Sequence, residues 1–114
     1  MARCAVGALA AALDEDPLVL LKGGPIELSD FFIFNNDITV GFVQFFDAGA
    51  IGSVTLGVTS PDFIVGVAAG SFAQGYLARP RMFHNGIVVG FTTTPTGSGA
   101  TGSTAVVNVG ISKG

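Results

Sequence analysis

The sequence predicts an all-β domain, a small antiparallel β-sandwich or jelly-roll-like barrel of about seven or eight strands with an N-terminal arm. Three observations carry that expectation. Short runs rich in Val, Ile, Phe and Thr alternate with period two, as in Phe42-Val43-Gln44-Phe45-Phe46 and Ala105-Val106-Val107-Asn108-Val109. Turn-forming Gly, Pro, Asn and Asp separate these runs at spacings of about 8–12 residues. No amphipathic helical pattern appears after residue 13.

At 114 residues the chain is the size of one domain. Only 11% of its residues are charged, against about 25% in soluble domains generally. Ten residues are Phe, and the mean hydropathy is +0.65. So little charge makes a thin polar coat, which points to a chain that buries much of its outside. A spanning helix needs about 20 consecutive apolar residues, and Gly, Pro, Asp or Asn interrupts every run here well before that. A small membrane barrel needs longer strands than these runs allow. Burial in an oligomer or larger assembly is the better account, because obligate interfaces resemble a core cut in half. The net charge of −3 and the absence of a Lys/Arg stripe argue against nucleic-acid partners. The single cysteine, Cys4, allows neither an internal disulfide nor a cysteine-based zinc site.

Taken in order, residues 1–16 read as an arm and 17–114 as one β-sandwich domain. The opening MARCAVGALAAAL resembles a weak signal peptide, but a short arm docked on a neighbour is the favoured reading. Its Ala and Leu favour helix; Gly7 and the short length favour an extended course nearly as much. Asp14-Glu15-Asp16-Pro17 is an acidic hinge. Leu18–Lys22 is a short strand ended by Gly23-Gly24-Pro25. Ile26–Phe34 is a strand with Phe31, Ile33 and Leu28 facing one way. Asn35-Asn36-Asp37 has the chemistry of a tight turn, so Ile38–Asp47 is expected to pair back as a hairpin.

Ala48–Ser53 is a loop, Val54–Thr59 a strand, Ser60-Pro61-Asp62 a turn and Phe63–Ala68 a strand. Phe72–Leu77 is a short strand. Ala78–Arg81 is a basic loop, since Pro80 suits no central strand. Asn85-Gly86 is a turn, Ile87–Thr94 a strand, and Pro95–Gly102 a polar loop. Ser103–Ser112 closes the domain. Gly41, Gly57, Gly66, Gly90 and Gly110 fall inside these strands, marking bulges or close approach of neighbours.

Catalysis finds little footing. His84 is the only histidine, and no spacing brings a nucleophile or carboxylate to it. Asp30, Asp37, Asp47 and Asp62 fall at or near strand ends, where Asp is a common turn residue. Paired-carboxylate chemistry needs two acids across a groove. PTGSGATG has neither the Lys nor the following helix of a phosphate loop. With no Trp and one Tyr, a carbohydrate-stacking module is also poorly equipped. The chain is therefore expected to be no enzyme and to carry no cofactor or metal. The candidate partner-contacting residues are Arg3, Val6, Leu9 and Leu13 in the arm, with Arg79 and Arg81.

Asn35-Asn36, Phe45-Phe46-Asp47-Ala48, Val54-Thr55-Leu56-Gly57 with Thr59, Pro61 and Phe63, and Phe83 with Gly86-Ile87-Val88 together resemble small β-sandwich accessory virion proteins of tailed bacteriophages. The resemblance spans about residues 31–94 and transfers no individual functional residue. It implies a capsid cement or decoration protein on the major capsid protein lattice, stabilising the phage head. Neck, tail or head-fibre base components of the virion are the alternatives within that resemblance, and a ligand-binding β-sandwich module is the alternative outside it. The resemblance also implies other virion proteins as partners, a homo-oligomer (trimer or dimer), and location in a virion assembled in the host cytoplasm. Neither nucleic acid nor membrane is an expected partner.

Overall fold

The computed structural model describes residues 5–10, 18–36, 38–97 and 104–113. Among them, eight strands form two four-stranded antiparallel sheets. The strands are β1 (Ala5–Ala10), β2 (Val19–Gly23), β3 (Ile26–Asn35), β4 (Gly41–Asp47), β5 (Phe63–Val67), β6 (Phe72–Phe83), β7 (Gly86–Thr92) and β8 (Thr104–Lys113). Sheet A has the order β1-β8-β3-β6 and sheet B the order β2-β7-β4-β5. Successive strands alternate between sheets, except β4 and β5, which are neighbours. That order is a jelly roll: one long antiparallel ribbon pairing β1 with β8, β2 with β7, β3 with β6 and β4 with β5, rolled into a sandwich.

The ribbon's closed end is the segment 48–62, between β4 and β5. The expected hairpin at Asn35-Asn36-Asp37 is therefore corrected. β3 already has β6 on one side and β8 on the other, so β4 has no edge of β3 to pair with. It crosses to sheet B instead, between β5 and β7.

Both sheets turn one apolar face inward. Leu28, Phe31 and Ile33 of β3 all reach the central core, although 28 and 31 differ in parity. A bulge between Leu28 and Asp30 switches the alternation at that point. Val43 and Phe45 of β4, Val65 and Val67 of β5, and Ile87, Val89 and Phe91 of β7 complete the core with Ile26 and Phe83. Phe63 packs against both Phe31 and Phe45, with ring centroids 5.8 and 5.5 Å apart.

The outer face of sheet B is apolar too, and the segment 48–59 covers it. Leu18, Phe46, Ala48, Val54 and Val88 form a second buried cluster, with Ile51 and Leu56 against it. This corrects the expected strand at Val54–Thr59. Val58 and Thr59 both donate their N–H to the Thr55 carbonyl. Gly57 takes φ +84°, a conformation open to glycine at little cost. The run closes on itself as a turn, and its alternating Val54 and Leu56 serve as a lid over β7. Gly90 lies directly beneath: a Cβ there would sit 3.1 Å from Leu18 and 3.2 Å from Leu56.

The expected basic loop at Ala78–Arg81 is also corrected, since β6 runs unbroken from Phe72 to Phe83. Pro80 is admitted because β6 is a terminal strand of its sheet. Between the pairs Leu28–Arg81 and Asp30–Tyr76, the stretch 77–80 of β6 faces Ser29 alone. There Pro80 stands opposite no registered partner in β3.

Of the arm, Ala5–Ala10 runs as β1 alongside β8, with Val6 opposite Asn108 and Leu9 opposite Ala105. The rest of residues 1–16, with Arg3 and Leu13, lies outside the described residues, as do Asp37 and most of the Pro95–Gly102 loop.

Candidate interaction surfaces

The connections gather at two ends, each organised by polar side chains. At the first end, Asn35 closes β3 and is fully buried. Its amide donates to the carbonyls of Thr39 and Val67 at 3.0 Å and of Ala68 at 3.3 Å. Its backbone N–H donates to the Ser71 carbonyl. One side chain thus ties the β3–β4 and β5–β6 connections together. Exposed apolar residues stand at this end, beside the exposed Asn36 and Thr39: Ile38 is 91% exposed, and Val40, Phe34 and Phe72 are exposed as well.

At the opposite end, Asp47 closes β4. Its carboxylate accepts the N–H groups of Asn85 at 2.7 Å and His84 at 3.1 Å. The Asp62 carboxylate accepts the N–H of Asp47 at 2.8 Å. Gly24 donates to the Asn85 carbonyl and Ala48 to that of Gly86. A depression of about 440 Å³ lies here, lined among others by Asp47, Ser53, Thr59, Asp62 and Asn85. Its acids are spent on backbone N–H groups, as turn residues are. His84 enters through its backbone. Among the described residues no three His, Cys, Asp or Glu side chains are grouped so as to hold a metal ion, and no helix is long and apolar enough to cross a membrane.

The two sheet faces differ. Behind the outer face of sheet B, Gln44 is fully buried. It donates to the Thr92 hydroxyl at 2.7 Å and the Gly97 carbonyl at 3.1 Å. Sheet A has no comparable cover among the described residues. On its outer face, Phe34 pairs with Phe72, Phe32 with Gln74, and Asp30 with Tyr76. Tyr76 is 84% exposed and Phe72 57%. The Phe32 and Phe72 rings lie 5.4 Å apart. A shallow depression of about 440 Å³ runs beside Asp30, Phe31, Phe32, Gln74, Gly75 and Tyr76.

Arg79 and Arg81 are exposed on β6, whereas Val6 and Leu9 lie on β1, at the opposite edge of sheet A. The four candidate contact residues that are described therefore occupy two separate edges. Sequence reasoning did not single out Phe72 and Tyr76. The signal was present: large residues at 72, 74 and 76 alternate with Ala73, Gly75 and Leu77, the pattern of a strand with a wet aromatic face.

No protein-family model matches the chain, and no curated protein matches its sequence. The fold has structural counterparts. A structure of Bacillus endospore appendages, described as disulfide-linked pili, superposes with a TM-score of 0.51 at 12% identity, over 96% of this chain and 84% of that one. PirA superposes with a TM-score of 0.50 at 10% identity, over 96% and 94%. The coat protein of Tobacco streak virus reaches 0.45 at 9% identity, over 97% and 86%. At such identities the likeness to the first two establishes a shared β-rich fold.

Proposed function

We propose that the protein is a structural subunit of a virion, a capsid cement or decoration protein that binds the major capsid protein lattice and stabilises the phage head. One observation carries this reading. Sheet A leaves an aromatic outer face exposed, continuous with the apolar end at Phe34, Ile38 and Val40, in a chain with only 11% charged residues. A patch of this kind marks an interaction site. The work asked of such a subunit is mechanical. It bridges neighbouring capsid subunits through buried apolar area, at up to about 25 cal/mol per Å2 before association costs.

The two edges of sheet A supply the contact lines: β1 with Val6 and Leu9, flanked in sequence by Arg3 and Leu13, and β6 with Arg79 and Arg81. The subunit acts as a homo-oligomer and is located in the virion, assembled in the host cytoplasm. No cofactor enters this role. The resemblance of residues 31–94 to accessory virion proteins supports the same reading.

The test is co-sedimentation of the purified protein with phage heads, with copies counted per particle. Binding at a copy number comparable to that of the major capsid protein is the expected result. Binding at the copy number of a single ring would move the protein to the neck or tail. Failure to bind heads or tails would overturn the proposal.

A further inference from the structure

We infer that the free edge of β6 pairs antiparallel with the same edge of a second copy of this chain, about a two-fold axis at Gln74. This deepens the homo-oligomer part of the reading above. It does not depend on capsid binding.

β6 is one of the two terminal strands of sheet A, with β1 at the other edge. One row of its backbone N–H and C=O groups therefore lacks a strand partner among the described residues. Natural proteins guard such edges with charges, prolines or bulges. β6 is guarded over one half only. Arg79, Pro80 and Arg81 stand together there, beside the irregularity opposite Ser29. The other half, Phe72-Ala73-Gln74-Gly75-Tyr76-Leu77-Ala78, contains no charge and no proline. The terminal strands of sheet B, β2 and β5, are shorter at five residues each, and β5 follows directly on Pro61-Asp62.

The unguarded half also matches itself. An isologous contact requires a surface complementary to its own copy. About Gln74 the strand reads aromatic, small, amide, small, aromatic. A two-fold axis there sets Phe72 against Tyr76 twice, Ala73 against Gly75 twice, and Gln74 against Gln74. Aromatic pairs directly across a ladder are stabilising, and both rings are exposed and available. A foreign strand would have to supply this pattern, whereas a second copy already has it. The product is a continuous eight-stranded sheet carrying Phe32, Phe34, Phe72 and Tyr76 from each copy along one face.

The test uses the full chain with Cys4→Ser and a single new cysteine, either Gln74→Cys or, as control, the exposed Thr55→Cys. Light scattering on the Cys4→Ser parent is expected to give a dimer. Mild oxidation is expected to link Gln74→Cys to itself at least about tenfold faster than Thr55→Cys, through the raised effective concentration at the axis. Gln74→Lys, which places like charges on the axis, is expected to give a folded monomer whose thermal midpoint falls only to that of the parent at dissociating concentration. A monomeric parent, or an oligomer in which position 74 links no faster than position 55, overturns the inference. Head binding is scored on the same proteins. A parent that dimerises through position 74 but ignores heads and tails leaves this interface standing and removes the virion reading. An oligomer that binds heads but does not link at 74 does the reverse.

Discussion

The two ends of the sandwich solve one problem with different chemistry. Each must tie together chain segments that cross between the sheets. One end uses Asn35, a neutral amide, fully buried, donating to three backbone carbonyls. The other uses Asp47 and Asp62, carboxylates at the wet surface, accepting backbone N–H groups. The difference follows from solvation. A buried amide is tolerated when its hydrogen bonds are made, but a buried charge costs far more. The neutral staple sits beneath exposed Ile38, Val40, Phe34 and Phe72, so covering that end would not require dehydrating it further. The carboxylate end depends on staying wet. On the proposed function, docking falls to the amide end and the adjoining face of sheet A, and turn formation to the acidic end.

Four substitutions would break or sharpen that contrast, taken from the largest expected effect to the smallest. Phe46→Ala empties the cluster beneath the 48–59 lid and is expected to cost about 4 kcal/mol in urea unfolding. A loss below about 1 kcal/mol would show that the lid is not packed as described. Asn35→Ala strands the carbonyls of Thr39, Val67 and Ala68 near the core, at an expected cost of about 3 kcal/mol. Amide exchange should rise in both connections it ties, 36–40 and 68–71, and a rise in only one would break the staple argument. Asp47→Asn keeps the shape but turns one acceptor into a donor facing an N–H. At its half-buried position, where the carboxylate still meets solvent, the expected loss is about 1 kcal/mol by thermal unfolding. A loss equal to that of Asn35→Ala would erase the distinction between the ends. Ile38→Ser touches a 91% exposed side chain and is expected to leave stability within about 0.5 kcal/mol. Head binding should weaken all the same, and unchanged binding would remove the amide end from the contact.

Much of the strand content was legible because it is local. β3, β4, β5, β7 and β8 fall close to their predicted positions, since period-two alternation and turn residues act over a few neighbours. The misread segments were those whose fate depends on distant ones. Val54-Thr55-Leu56 alternates like a strand, but it pairs with none of the described strands. It lies instead on the outer face of β7, where Gly90 leaves room for Leu18 and Leu56. Pro80 reads as a breaker, and only the placement of β6 at an edge makes it harmless. Of the candidate contacts, Arg79 and Arg81 were visible as an isolated cationic pair. The aromatic face beside them was not, because Phe32 and Phe72 are forty residues apart in sequence and meet only through the β3–β6 pairing.

By itself, then, the sequence determined an all-β class, most strand positions, and a chain too sparsely charged to coat itself. Those properties rest on local alternation and on composition. Tertiary structure decided which strands are neighbours, that Asn35 is a buried tie rather than a hairpin turn, and which sheet face has no cover among the described residues. In a jelly roll most ladders join residues far apart along the chain. The partner of a strand is chosen by which edges remain open once the others are paired, and no local window of residues contains that information.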